Sequence, residues 1–281
     1  TFKLKLEKKF IHLTGMCRTG LILILDYLKK KYPQKKEIII CSYNLREMVD
    51  IARLKDFKIK LLDINEKTGV MNIDLIKKNC NPNTAAILFT NMFNDHLSII
   101  KIKNLCKEKE ILLIEDNAIY FGNYYLEDSK KKYSGSTGDV SLLSFGIMKN
   151  ISAIYGGALL TSNKEISDFV NEELKTYKDF SSFLYLKKVL LFLIMKTLLS
   201  KICYNLFFFY IIKFSVTKKI NFFLTSIYPS LRFKKKKEIP QEYYYRISPT
   251  SVKIIDQIIH DPQFEKNENI RRDNNKIYYD N

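Results

Sequence analysis

The chain is poor in the residues that build disulfide frameworks and zinc sites, with five cysteines and three histidines among 281 residues. The cysteines are odd in number and widely scattered, which argues against a disulfide framework and favours a reducing compartment. No histidine stands in a close cluster with the cysteines, so the ligand spacing of a zinc site does not occur in the sequence. We therefore predict no bound metal.

Arginine is also scarce, although the formal net charge is +17 and the chain has 47 basic residues, of which only seven are arginine. Recognition of base edges usually depends on arginine, and no nucleic-acid-binding motif is visible. The lysine excess, beside abundant isoleucine and asparagine, is typical of an AT-rich genome. We therefore predict no nucleic-acid partner. An anionic membrane is the other class of partner that this charge suggests.

Apolar runs long enough to cross a bilayer are missing as well. Residues 183–240 are very apolar, but lysines interrupt them, and the longer uncharged runs are 189–195 and 202–212. A spanning helix needs about 20 apolar residues. A basic cluster at 234–237 follows. Three arrangements stay open: contact with an anionic lipid surface, a helical hairpin packed on a domain or a dimer partner, and a transmembrane hairpin.

The first residues of the chain do not have the pattern of a signal peptide. The first residues, TFKLKLEKKFIHL, lack the apolar core and the small-residue cleavage site of a signal peptide. The sequence does not begin with methionine and stops in the polar run RRDNNKIYYDN. We expect a fragment that is open at both ends. We also expect a cytoplasmic location, with 183–240 as a candidate contact with the inner membrane surface.

Apolar strand patterns alternate with helical patterns along the first part of the chain. Helices are predicted at 16–31, 45–55 and 97–110, and strands at 36–44, 58–65, 84–93, 111–116, 140–145 and 156–162. This order predicts an α/β fold with a mostly parallel central sheet flanked by helices. Ligands of such sheets bind beyond the carboxyl ends of the strands.

Three predicted strands end in residues with useful chemistry, namely Tyr43, Asp116 and Ser144, and Lys149 follows Ser144 by five positions. A lysine amine can form a Schiff base with the aldehyde of pyridoxal 5'-phosphate (PLP). An aspartate can pair with the pyridinium nitrogen of the same cofactor. The alternatives are a solvated lysine, an aspartate that caps a helix, a serine that caps a turn and an ordinary strand-end tyrosine.

In their order along the chain, these residues resemble the DegT/DnrJ/EryC1/StrS sugar aminotransferases, which are PLP enzymes of fold type I. The resemblance rests on Cys17-Arg18-Thr19-Gly20-Leu21, Tyr43, Asp116, Ser144, Lys149 and Gly156-Gly157. It is densest from Leu112 to Asn163 and weaker towards the first helix, and it covers little of 165–240. It implies a PLP-binding large domain at 1–182, an apolar basic helical insertion at 183–240, and an incomplete C-terminal small domain at 241–281.

The resemblance also implies a role for each site residue. Lys149 holds the cofactor and moves a proton between substrate and cofactor, and Asp116 pairs with the pyridine nitrogen. Ser144 binds the cofactor phosphate, and Arg18 and Thr19 bind it from the start of the first helix. Tyr43 approaches the cofactor ring.

The function implied is amino transfer from an amino acid, such as glutamate, to a keto sugar on a nucleotide, in a homodimer that serves polysaccharide or amino-sugar biosynthesis. Three positions depart from the family pattern, since Ile119, Gly146 and Tyr244 replace polar residues that are common there. Two alternatives therefore stay open. One is a PLP-dependent sugar dehydratase, and the other is a non-catalytic, membrane-associated scaffold built on the same fold.

Overall fold

The computed structural model describes residues 7–92, 96–119, 121–122, 124–127, 129–147, 149–218 and 236–279. Nine strands lie in these ranges: β1 (Phe10–Thr14), β2 (Glu37–Cys41), β3 (Lys58–Leu62), β4 (Thr84–Thr90), β5 (Leu112–Asp116), β6 (Tyr124–Glu127), β7 (Lys130–Tyr133), β8 (Val140–Ser144) and β9 (Gly157–Thr161). Strands β6 and β7 pair with each other as a hairpin, and the other seven form the central sheet.

The order of strands across the central sheet is β1-β9-β8-β5-β4-β2-β3. The pairs from β3 through β2, β4 and β5 to β8 are all parallel, whereas β8–β9 and β9–β1 are antiparallel. The prediction of an α/β fold with a mostly parallel sheet is therefore confirmed. The parallel strands place their carboxyl ends at one edge, which is where the polar strand-end residues meet.

Nine α-helices accompany the strands in the described ranges: α1 (Cys17–Lys31), α2 (Arg46–Leu54), α3 (Ile73–Asn79), α4 (His96–Glu108), α5 (Lys164–Thr176), α6 (Ser182–Leu198), α7 (Phe209–Thr217), α8 (Pro249–His260) and α9 (Pro262–Tyr279). Between α6 and α7 lie a helical turn, Lys201–Cys203, and a π-helical turn, Tyr204–Phe208. A 3-10 turn, Gln241–Tyr244, precedes α8.

The core lies on both faces of the sheet, as expected for parallel strands. On one face α1 packs against the sheet, and its residues 21–25 are completely buried. On the other face α4 contributes Ile99 and Ile102 to a second cluster with Ile87 and Phe89 of β4. Because α1 is enclosed in this way, its first turn is held firmly at the carboxyl edge of the sheet.

The sequence pattern misses several elements, and three of them illustrate why. Strand β1 has five residues and pairs with β9, whose partners lie almost 150 positions later, so no local pattern specifies it. The β6–β7 hairpin carries KKKY in one strand and is too polar to resemble a buried strand. Helix α3 does have a local signal, because the Asn72 side chain accepts hydrogen bonds from the N–H groups of Asp74 and Leu75 at its start.

The residues after 240 pack on the main body of the chain. Tyr243 is buried in the cluster around α1, and Ile255 of α8 is buried in a cluster with Phe121 and Phe145. The division into parts at 182 and 240 stays a prediction. Of the predicted helical insertion, 219–235 lies outside the described residues.

Within the described part of the chain, no single helix has the length and apolar character required to cross a membrane. Two consecutive helical segments, Ser182–Leu198 and Lys201–Ser215, are long and apolar enough when they are taken together. The chain bends by 63° between them.

Candidate active site

A cavity of about 630 Å³ opens at the carboxyl edge of the parallel strands. Its lining includes five of the six site residues predicted from the sequence, which are Arg18, Tyr43, Asp116, Ser144 and Lys149. These residues come from the start of α1, from the segment after β2, from the ends of β5 and β8, and from the loop after β8. Residues far apart in sequence are thus brought to one site, as predicted for this edge of the sheet.

Asp116 is the last residue of β5, and it is only 6 % exposed. Its Oδ1 accepts a hydrogen bond of 2.9 Å from the backbone N–H of Ala118, and the Cys17 thiol lies 4.0 Å from the same oxygen. Burial raises the pKa of this carboxyl group, and the hydrogen bond from Ala118 and the charges of Lys149 and Arg18 oppose that rise. A buried carboxylate in this setting favours a cationic ligand beside it.

Lys149 is half-buried in the loop after β8. Burial lowers the pKa of its amine, Cys17 and the Asp116 carboxylate oppose that effect, and the nearby Arg18 adds to it. A lowered pKa increases the fraction of neutral amine near pH 7, and the neutral amine is the nucleophilic form. The lysine therefore has the electrostatic environment of a reactive amine, with an acidic residue beside it.

Arg18 lies in the first turn of α1 and contributes a second cationic side chain to the cavity. Its guanidinium forms an ion pair with Glu47 of α2 and lies 5.5 Å from the centre of the Tyr243 ring. Its Nε is buried and has no hydrogen-bond partner among the described residues. The ion pair with Glu47 neutralises part of the positive charge of Arg18, the residue that the resemblance assigns to phosphate binding.

Thr19, the sixth predicted site residue, is not part of the cavity lining. Its side chain is completely buried, and its hydroxyl donates to the Tyr243 carbonyl at 2.8 Å and accepts the Met16 N–H at 3.2 Å. An α-helix turns by about 100° per residue, so the side chain after Arg18 points in a different direction. In this arrangement Thr19 fixes the start of α1 to the 3-10 turn, and its hydroxyl is not directed at a ligand.

Gly156 and Gly157 allow β9 to begin directly against the first turn of α1. Gly156 has φ +141°, a conformation that favours glycine. A Cβ on Gly157 would lie 2.3 Å from the carbonyl carbon of Met16 and 2.4 Å from the backbone nitrogen of Cys17. Both of these atoms are backbone, so neither can move away as a flexible side chain would. The paired glycines therefore set the position of the turn that carries Arg18.

We expect the substitution Gly157→Ala to lower the free energy of unfolding by about 1–3 kcal/mol, because the new methyl group would displace the start of α1. Urea unfolding followed by circular dichroism measures this loss. The matched control is Gly146→Ala, whose Cβ would meet only the Ser144 Oγ at 3.7 Å, an ordinary contact. Equal unfolding midpoints for the two variants would contradict the close approach inferred for Gly157.

A buried polar network next to Asp116 escapes the sequence pattern. Glu115 accepts hydrogen bonds from the N–H groups of Gly135 and Gly138 and from Asn91 Nδ2 at 3.0 Å, and burial raises the pKa of its carboxyl group. Asn91 also donates to Asn117 Oδ1 at 2.8 Å. The network holds the segments after β4 and β5 together beside the site. The sequence feature that could have indicated this network is Asn91, a polar residue that directly follows β4.

Tyr155, Lys188 and Ile119 are among the lining residues that were not predicted as site residues. Tyr155 is buried, and its hydroxyl donates to the Glu242 carbonyl at 3.2 Å. Lys188 of α6 lies 5.5 Å from the centre of the Tyr155 ring and also lines the cavity. Ile119, which stands where the family often has glutamine or histidine, lies in the lining and is 53 % exposed. The cavity therefore has an apolar side chain where the resemblance implies a polar one.

Comparison with known proteins gives both sugar aminotransferases and sugar dehydratases as relatives. GDP-perosamine synthase of Escherichia coli O157:H7 is 31% identical over 132 residues, which are 47% of this chain and 35% of that protein. The solved Helicobacter pylori PseC, an aminotransferase involved in the biosynthesis of pseudoaminic acid, matches with a TM-score of 0.56 and 16% identity over 64% of this chain and 47% of that one. The solved E. coli GDP-4-keto-6-deoxy-D-mannose-3-dehydratase with bound hydrated PLP matches with a TM-score of 0.54 and 22% identity. The match covers 60% of this chain and 43% of that one.

The chain spans less than half of the length of these relatives. The two solved structures share its fold, which confirms the predicted fold type I of PLP-dependent transferases. The model of the DegT/DnrJ/EryC1/StrS aminotransferase family matches residues 2–177, more than half of the chain, and this range includes all six predicted site residues. The chain therefore belongs to the DegT/DnrJ/EryC1/StrS aminotransferase family.

Proposed function

We propose that this chain binds PLP and transfers an amino group from an amino acid, glutamate by preference, to a keto sugar carried on a nucleotide. The observation that carries the proposal is that a half-buried Lys149 and a buried Asp116 line one cavity. Family membership and the named activity of the perosamine synthase relative support it. A homodimer in the cytoplasm is part of the same proposal.

The residues of the cavity fit this cofactor. Asp116 is a desolvated carboxylate whose pKa burial raises, and a protonated ring nitrogen would supply the cation that such a group favours. Ser144 and Arg18 lie in the same lining as the phosphate-binding candidates, and Tyr43 lies there as the candidate contact to the ring. When bound, PLP supplies the electron sink that makes the substrate Cα–H acidic.

The remaining chemistry belongs to side chains of this protein. Lys149 has a lowered amine pKa, so its neutral amine would be the group that holds the cofactor aldehyde and that carries a proton to and from the substrate carbon. An ionised Asp116 would pair with the ring nitrogen of bound PLP and keep that nitrogen protonated. Ile119 has no polar atom in its side chain, so it would offer a bound cofactor no hydrogen bond.

The test of this function is spectroscopic and then chemical. The purified chain, loaded with PLP, is expected to show a visible absorbance band that sodium borohydride removes, because the reductant traps a lysine–cofactor bond. Incubation with glutamate and a nucleotide-linked keto sugar should then yield an aminated sugar, identified by mass spectrometry. A chain without the band would refute the proposal.

The product also separates this function from sugar dehydration. The solved dehydratase relative shows that the fold hosts both activities. A deoxy-keto product, in place of an amino sugar, would assign the chain to dehydration and overturn the amino-transfer proposal while leaving cofactor binding intact. The resemblance favours transfer, because sugar-dehydrating relatives replace the cofactor lysine with histidine and this chain keeps Lys149.

A further inference from the structure

An apolar basic surface lies on α6, the two turns that follow it, and α7, within the described residues 182–217. The large apolar side chains that are more than half exposed there include Phe183, Leu190, Ile194, Ile202, Phe207 and Phe214. Scattered apolar side chains are normal on a protein surface, but a contiguous set of this kind marks an interaction site.

Helix α6 is apolar on both sides, because Leu184 and Val189 pack towards the protein. Tyr185 is buried, and its hydroxyl donates to the Ala153 carbonyl at 3.2 Å. Lys188, one turn further along, lies over the Tyr155 ring and lines the cavity. The apolar residues Leu186 and Leu190 point outwards and are more than half exposed. A helix that is apolar all round is usually surrounded by apolar material, so an apolar medium is expected on the outside of α6.

The charges of this surface have one sign. Between Asp179 and Glu238 the sequence has 12 lysine or arginine residues and no acidic residue. Lys187, Lys196 and Lys201 are exposed within the described part of that stretch. Lysines that flank exposed apolar side chains suit a layer with an apolar interior and a negatively charged boundary.

We infer that the apolar basic surface docks peripherally on an anionic lipid bilayer. Its apolar side chains enter the interfacial layer, and its lysines lie beside the lipid phosphates. A second copy fits less well, because a two-fold symmetric contact through this surface would place lysines against lysines. The inference does not rest on the proposed function, since no cofactor chemistry enters it. Because Lys188 lines the cavity from α6, docking would hold the cavity close to the membrane surface.

Flotation of the complete 281-residue chain with lipid vesicles tests the inference. We expect the chain to float with vesicles of phosphatidylcholine and phosphatidylglycerol in equal amounts, and to remain unbound with phosphatidylcholine alone. Binding should weaken as salt is added, because the attraction of the lysines to the lipid is screened. This comparison uses the unmodified chain, so it does not depend on any variant folding correctly.

Charge reversal on the surface should reduce binding to the mixed vesicles by roughly a hundredfold, from about fivefold for each lysine near the membrane. The variant combines Lys187→Glu, Lys196→Glu and Lys201→Glu. The matched control has the same change in net charge at exposed lysines of α3 and α4, and combines Lys77→Glu, Lys78→Glu and Lys107→Glu. Equal losses in the two variants would show attraction by net charge alone and would overturn the inference.

A second variant for the vesicle-binding experiment replaces apolar side chains of the surface with polar ones. The variant Leu190→Ser and Ile194→Ser should bind the mixed vesicles at least about tenfold more weakly, because each buried methylene adds to membrane affinity. Unchanged circular dichroism establishes that the variant is folded.

Two outcomes would identify a different occupant. A vesicle-free dimer in sedimentation velocity that this same variant dissociates, together with absence of flotation, would assign the surface to a second copy. Retention of the chain in the vesicles through an alkaline carbonate wash would indicate an integral hairpin. Either result would overturn peripheral docking.

Discussion

Replacement of Lys149 by alanine should abolish the borohydride-sensitive absorbance band and reduce amino transfer by at least about 10⁴-fold, the upper end of the contribution of a general acid–base group. The variant removes both the amine that holds the cofactor and the base that moves the substrate proton. Its removal takes one positive charge from the neighbourhood of Asp116, but the hydrogen bond from Ala118 and the attraction to Arg18 remain. We therefore expect the variant to remain folded.

Two matched variants show whether the effect belongs to this lysine. Lys149→Arg keeps a positive charge but has no amine that can bind an aldehyde, and it should lose the band as completely as the alanine variant. Lys188→Ala removes a different lysine from the lining of the same cavity and should retain the band. A band that persists in Lys149→Ala and disappears in Lys188→Ala would transfer the cofactor-holding role to α6.

The sequence specifies the part of the site that strand ends determine. Tyr43, Asp116 and Ser144 follow apolar runs that are clearly strands, and parallel strands end at the same edge of a sheet, so their meeting in one cavity follows from topology. Lys149 was identifiable because it stands between two such runs. The amino-acid pattern therefore predicted five of the residues that line the cavity.

Contacts between segments distant in sequence could not be predicted in the same way. The direction of the Thr19 side chain depends on the rotation of α1, which is set by the close approach of Met16 to Gly157 more than 130 positions away. The pairing of Arg18 with Glu47 depends on how α2 packs beside α1. Lys188 enters the cavity only because Tyr185 anchors α6 on the Ala153 carbonyl. No local periodicity encodes any of these three contacts.

Substitution of Asp116 by asparagine should leave cofactor attachment in place but reduce turnover by more than about 100-fold. The loss of one partner from a buried charge pair costs about 3–5 kcal/mol, and each 1.36 kcal/mol in the barrier is tenfold in rate. The amide has almost the same shape as the carboxylate but cannot keep the ring nitrogen protonated. The absorbance band of the PLP-loaded variant measures cofactor attachment, and its steady-state kinetics measures turnover.

The same variant has a defined effect on pH dependence. Attachment of the cofactor requires the neutral amine, so it increases with pH through the pKa of Lys149, which burial places below its ordinary value. The Asp116 carboxylate opposes that shift, so its removal should lower the midpoint of the pH profile further. Glu115→Gln is the matched control, because it neutralises the adjacent buried carboxyl group, which the strand directs to the opposite face of the sheet. It should lower the free energy of unfolding by about 1–3 kcal/mol and leave the midpoint unchanged. A midpoint that rises in Asp116→Asn, or that falls equally in both variants, would show that Asp116 does not act on Lys149 through its charge.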